Sequence, residues 1–172
     1  LGTSLVGKCP VWHPSVMFRR NVVLNLGGYD ESYAPAEDFD LWVRLAMQRY
    51  NAAIVPEFLL LARVHEGSQS AKNLLTQLKN TRRSHDKLIK AFCNSPEAEM
   101  VALLLRMEDA FFSQCKAKSQ VVAVLRALDE MLTNLKTVLR LSPEEFVTLT
   151  RVVYRRLGLG VRLGNKLVRL PP

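Results

Sequence analysis

A chain of 172 residues with a formal charge of +8, 48% hydrophobic and 23% charged residues has the composition of an ordinary folded protein with a real apolar core. No apolar run approaches the ~18 residues of a membrane span, no signal-peptide pattern is visible, and three scattered cysteines without a Cys-x-x-Cys pair argue against a disulfide framework or zinc knuckle and for a reducing compartment. The charge is uneven: residues 1–70 carry six Lys/Arg against seven Asp/Glu, a balance of −1, whereas 71–172 carry eighteen against nine, a balance of +9, which marks two regions with different partners or solvation.

Up to about residue 70 the pattern is mixed. Residues 15–18 read as a short strand entered through Pro14 and closed by Arg19-Arg20. Residues 21–26 suit a short helix, stopped by Gly27-Gly28 in a left-handed cap or a close backbone approach. A loop over 29–36, punctuated by Pro35, leads to a helix over 37–49 with acids at its start, Arg44 and Arg49 later, and Leu41, Trp42, Leu45 and Ala46 as its apolar stripe. Residues 53–55 and 58–63 follow as strand material split by Pro56.

From about Ala71 the period becomes helical. Leu74, Leu75, Leu78, Leu88, Ile89 and Phe92 outline one helix, and Ser95-Pro96-Glu97 opens a second, with Ser as cap and Pro at the first helical position. Val101, Leu104, Leu105, Phe112 and Cys115 supply its apolar face. A third helix follows Ser119, with Val122, Leu125, Leu128, Leu132, Leu135 and Leu139 on one side. Ser142-Pro143-Glu144-Glu145 is a capping box that opens a fourth. Gly158, Gly160 and Gly164 loosen the chain before Pro171-Pro172, and no internal repeat is present.

The densest polar cluster is Glu37-Asp38-Phe39-Asp40. At about 100° per residue, Asp38 lies above Leu41, Trp42 and Leu45 and faces the protein, while Asp40 points away, four residues before Arg44, as in a surface ion pair. A carboxylate enclosed at a helix N-terminus can accept a proton from a hydroxyl as a bond forms. Spacing alone fits plain helix capping better than catalysis. Arg63 and His65 alternate onto one face of the expected strand, where a cation and an imidazole could meet a diphosphate and its metal ion; an exposed loop histidine beside an unrelated arginine is the plainer reading. His13 and His85 have no ligand-spaced neighbours and read as structural. Trp42 and Phe39 fit core packing as readily as an acceptor pocket.

Four motifs taken together, in order and spacing, resemble the second half of a family 2 glycosyltransferase with the GT-A fold. They are Pro14-Ser15-Val16-Met17-Phe18-Arg19-Arg20, Leu26-Gly27-Gly28-Tyr29-Asp30-Glu31, Glu37-Asp38-Phe39-Asp40-Leu41-Trp42-Val43-Arg44-Leu45-Ala46, and the run from Leu59 through Arg63-Val64-His65-Glu66-Gly67-Ser68 to Ser70. The resemblance covers about 14–70 and implies an inverting, in-line transfer of a sugar from a nucleotide-sugar donor to a glycan or lipid-linked acceptor, as in polysaccharide biosynthesis. It makes Asp38 the general base and Glu37 its support at the acceptor site, with Gly27, Gly28 and Trp42 on the substrate side. His65 would hold a divalent ion, Mg or Mn, or the donor diphosphate, assisted by Arg63. The family binds nucleotide and metal through an earlier half ending in Asp-x-Asp. No aspartate precedes Ser15, and Asp38-Phe39-Asp40 belongs to the later motif, so the chain reads as a fragment that is inactive alone.

The expected architecture is therefore α/β, a partial GT-A, Rossmann-like half over 1–70, followed by an all-α helical bundle over 71–172, predominantly helical overall. Arg151, Arg155, Arg156, Arg162, Lys166 and Arg169 are interleaved with apolar residues, a pattern that can lie on an anionic membrane; a solvated bundle face is the preferred reading. With Tyr154 the one aromatic in 151–172, nucleic acid is not an expected partner. The location expected is cytoplasmic, at the inner membrane face if the tail binds lipid. The rival function is a non-catalytic protein- or membrane-binding helical module on a degenerate glycosyltransferase stub.

Overall fold

The computed structural model describes Cys9, residues 11–61, Arg63, 73–106, 108–156, and the backbone of 161–163 and 166–168; the side chains of Phe112 and Arg156 lie outside the description. The elements in order are α1 (Arg20–Asn25), α2 (Glu37–Met47), α3 (Leu74–Phe92), α4 (Ala98–Arg106), α5 (Asp109–Gln114), α6 (Lys118–Leu139), α7 (Pro143–Arg156), β1 (Val161–Leu163) and β2 (Lys166–Val168). Short 3-10 turns at His13–Ser15 and Glu31–Tyr33 precede α1 and α2. The chain forms two compact units, Leu1–Leu88 and Ile89–Pro172. Helix α3 begins in the first and its last turn opens the second. No helix among the described residues is long and apolar enough to cross a membrane.

The α/β expectation for 1–70 is overturned. Among the described residues of that stretch none forms a strand; the two three-residue strands β1 and β2 pair antiparallel with each other near the C-terminus and build no Rossmann-like sheet. The physical reason lies in pairing. A strand is completed by a neighbour that takes its backbone N–H and C=O groups. Residues 16–19 and 50–61 have neither helix nor ladder, and Ile54, Val55, Phe58, Leu59, Leu60 and Leu61 are exposed. The apolar run that reads as strand material split by Pro56 is thus exposed apolar surface in its described residues.

The ends of α1, α2 and α6 share one geometry. In the Schellman motif the residue after the C-cap is left-handed and two amides fold back onto the last turn. After α1, Gly27 (φ 85°) donates to Leu24 O at 2.9 Å and Gly28 to Val23 O at 2.9 Å. After α2, Arg49 (φ 62°) donates to Ala46 O at 2.9 Å and Tyr50 to Leu45 O at 3.0 Å. After α6, Arg140 (φ 52°) donates to Thr137 O at 3.3 Å and Leu141 to Lys136 O at 3.0 Å.

The second unit keeps its helical pattern with two departures: the single helix expected after Ser95 is two, α4 and α5, and Val122 of the expected α6 stripe is exposed. Helix α4 buries Val101, Ala102, Leu103, Leu104 and Leu105 and packs on α6, whose stripe Val124, Ala127, Leu128, Met131, Leu132 and Leu135 is spaced for one face. Ile89, Phe92, Cys93, Leu149 and Val153 extend this core. Asn134 Nδ2 donates to Phe92 O at 2.9 Å, satisfying a terminal carbonyl of α3. The capping box of α7 is present: Ser142 N donates to Glu145 Oε2 at 2.8 Å and Glu145 N to Ser142 Oγ at 3.2 Å. At the other end of α3 the expected stripe fails, since Leu74, Leu75 and Leu78 are exposed.

Candidate functional site

Helix α2 opens with three acids, and its N-cap, Ala36, has no side-chain acceptor for the first free amides. The three carboxylates meet different surroundings. Asp38 is half-buried, and its Oδ1 accepts from the Phe39 amide at 2.7 Å. Glu37 is half-buried too, and its Oε2 is enclosed without a hydrogen-bond partner among the described residues. Asp40 is 0% exposed.

The surface position expected for Asp40 is therefore wrong, although its pairing with Arg44 is present. Arg44 Nε donates to Asp40 Oδ2 at 2.6 Å, Nη1 to Leu26 O at 2.7 Å and Nη2 to Gly28 O at 2.7 Å. Lys87 Nζ lies 3.4 Å from Asp40 Oδ1. A buried carboxylate is tolerable when its charge is met and its lone pairs are used, and the planar arginine fork is suited to bridging a carboxylate and two carbonyls. The result ties the glycine turn to the helix carrying Glu37 and Asp38.

A Cβ built on Gly27 or Gly28 meets nothing within 4 Å, so the left-handed backbone, φ 85° and 72°, is what favours glycine there. Beyond the turn, Tyr29 Oη shares a 2.9 Å hydrogen bond with His13 Nε2. The His13 ring packs edge-on against Tyr29 (5.5 Å) and Trp42 (6.2 Å). Burial pushes the Tyr29 phenol above its ordinary pKa, and the negative charges of Asp38 and Glu37 push it the same way. Burial and then Asp38 also raise the Cys9 thiol, partly offset by its hydrogen bond to Val11 O at 3.1 Å. The charge of Asp38 thus acts on both the Tyr29 phenol and the Cys9 thiol.

Of the site residues read from sequence, Glu37, Asp38, Gly27, Gly28 and Trp42 come together on or beside α2. Trp42 is 2% exposed, and its Nε1 is enclosed without a partner among the described residues. Arg63 is exposed, and His65 lies outside the described residues. No group of three or more His, Cys, Asp or Glu side chains able to hold a metal ion occurs among the described residues. Asp40, the second acid of the one Asp-x-Asp spelling, is occupied by Arg44 and Lys87, which fits the reading that this is no metal pair. The described donor set does not fit a divalent ion.

Sequence reading missed His13 and Tyr29, and it missed a stripe on α3. Asn80 Nδ2 donates to Ala34 O at 2.8 Å; Arg83 Cζ stacks 4.1 Å from the Tyr33 ring centroid and its Nη1 lies 3.4 Å from Ser32 O. The available signal was spacing. Asn80, Arg83, Ser84 and Lys87 recur at three- and four-residue intervals, so they share one polar face.

No protein-family model matches the chain, and no solved structure matches it. Over 72 residues it is 35% identical to an uncharacterized glycosyltransferase of Haemophilus influenzae, a match covering 42% of this chain and 26% of that protein. Over 90 residues it is 32% identical to an uncharacterized glycosyltransferase of Methanocaldococcus jannaschii, covering 48% of this chain and 29% of that protein. The matches thus span between a quarter and three-tenths of these relatives, and they support a glycosyltransferase relationship.

Proposed function

We propose that this chain supplies the acceptor-side carboxylates of a family 2-like, nucleotide-sugar-dependent glycosyltransferase, with Asp38 as general base. The observation that carries the reading is the half-buried Glu37–Asp38 pair at the start of α2, tied to the Gly27–Gly28 turn by Arg44. Two relatives bearing the name glycosyltransferase support it. Asp38 takes the proton of the acceptor hydroxyl while that oxygen attacks the anomeric carbon. The bond from that carbon to the nucleotide diphosphate breaks, and the diphosphate leaves with the electron pair, inverting the centre. Glu37 supports Asp38 from the adjacent position at the acceptor site, its Oε2 being enclosed in the protein. Asp40, committed to Arg44 and Lys87, takes no part in donor binding, and Arg63 and His65 are the residues of this chain assigned to the donor diphosphate.

The test is sugar transfer by the native polypeptide that carries this sequence. Asp38→Asn keeps the shape and removes the base, so turnover should fall by about 10²- to 10⁴-fold with helix content unchanged. Turnover at the parent rate would sink the assignment.

A further inference from the structure

The stripe Asn80, Arg83 and Lys87 belongs to a helix that the glycosyltransferase-like motifs do not reach. Two turns of α3, about 10 Å of helix axis, make contacts directed at one target. Asn80, 8% exposed, holds Ala34 O. Arg83 lies over Tyr33 and reaches Ser32 O. Lys87 lies 5.7 Å from the Tyr33 ring centroid and 3.4 Å from Asp40 Oδ1. Their targets fall between Ser32 and Asp40, the segment that delivers the first turn of α2.

Within that segment Tyr33 and Ala36 are buried, 5% and 1% exposed, while the polar contacts that reach it from outside among the described residues come from α3. The Ala36 cap offers α2 no side-chain acceptor. Its internal bonds, Tyr33 N to Asp30 O at 3.0 Å, Ala34 N to Glu31 O at 3.0 Å and Ala36 N to Tyr33 O at 2.7 Å, shape a turn but do not orient it. Arg44 acts one turn later and on the glycine side. The buried face of α2 seats the helix, and the α3 contacts add polar restraints at the turn that leads into Glu37 and Asp38.

We propose that Asn80, Arg83 and Lys87 are positioning residues: a polar brace on α3 that holds the 32–36 turn and so sets the Glu37–Asp38 pair for acceptor binding. This rests on the glycosyltransferase reading for its consequence and on geometry for its existence. The planar Arg83 side chain is the central element, because it combines stacking on Tyr33 with a donor for Ser32 O.

The experiment has two arms. In the 172-residue chain, amide hydrogen exchange is followed by NMR for Arg83→Gln and for Asn80→Ala. The amides of Ser32, Tyr33, Ala34 and Ala36 should exchange about tenfold faster, while those of Val124 and Leu128 stay at parent rates. Unchanged exchange at the turn, or acceleration spread evenly over the chain, would overturn the brace. In the native polypeptide, at a temperature where tryptophan fluorescence and circular dichroism show parent and variant fully folded, Arg83→Gln should lower kcat about tenfold at unchanged donor KM. Arg83→Lys, which keeps a cation over Tyr33, should recover part of the loss. A fully folded Arg83→Gln protein with the parent kcat overturns the positioning role. Should Asp38→Asn transfer sugar normally, the catalytic reading fails, while the exchange pattern still decides the brace.

Discussion

The two compact units bury different things. In Leu1–Leu88 the buried side chains include Asp40, Asn80, Ser84 and His85, whereas those described in Ile89–Pro172 are apolar or thiol. An apolar interior gains stability from area removed from water and asks only for shape. A buried charge must be met by specific partners, and the free energy spent there fixes geometry rather than adding stability. The second unit is therefore arranged to persist, and the first to hold a particular set of groups in place.

The sharpest way to break this contrast is to damage one unit and watch both. Asp40→Ala removes a carboxylate with 0% exposure and strands the Arg44 guanidinium, a change expected to cost about 3–5 kcal/mol. Leu128→Ala, also 0% exposed, leaves a cavity in the second unit and should cost about 2–5 kcal/mol. Both tryptophans, Trp12 and Trp42, lie in the first unit, so their fluorescence reports that unit, while far-UV circular dichroism is weighted toward α4 to α7. In urea, Asp40→Ala should move the fluorescence transition more than the dichroism transition, and Leu128→Ala the reverse. Transitions that shift together in both variants would show that the units unfold as one.

A smaller effect separates two chain reversals built the same way. Gly27 and Arg140 both occupy the left-handed position of a Schellman motif, φ 85° and 52°. Gly27→Ala should destabilise by about 1–2 kcal/mol through the backbone alone, since nothing lies within 4 Å of the new methyl. Arg140→Gly relieves the same cost at α6 and should stabilise by up to about 1 kcal/mol. Shifts of denaturation midpoint in opposite directions are the outcome to look for; equal signs would mean that the left-handed backbone is not the controlling cost.

These cases show which features were legible in the sequence. The glycine cap after α1, the acids opening α2, and the Ser142–Glu145 box depend on residues a few positions apart, and each is present. The strands expected at 15–18, 53–55 and 58–63 needed a neighbour, and no local pattern says whether one exists. Burial of Asp40 was hidden for the same reason. Its partner Lys87 is 47 residues away, and the carbonyls that satisfy Arg44 lie 16 and 18 residues before it. Helix phase assigned Asp40 to solvent because it lies opposite Leu41, Trp42 and Leu45, but Phe39 and Val43 are buried as well, so α2 is enclosed beyond its apolar stripe and distant partners meet the Asp40 charge.

The smallest expected effect compares one carboxylate from each unit under acid. Asp30 Oδ1 accepts from the Ser32 amide at 2.9 Å at the start of the 3-10 turn before α2, and Glu145 closes the α7 capping box. Both carboxyls are held below their ordinary pKa values by bonds to Ser32 and Ser142, respectively. A folded pKa below the unfolded one means that the unfolded state binds protons first on acidification. The stabilisation is fully present above the ordinary carboxylate range and is lost as pH falls through the lowered folded values. Asp30→Asn should therefore flatten the acid limb of the fluorescence-monitored stability curve, and Glu145→Gln should flatten that of the dichroism-monitored curve. If each substitution flattened both limbs equally, acid would be acting on the protein as a single cooperative body, and the contrast between a unit that persists and a unit that positions would have to be sought in function rather than in unfolding.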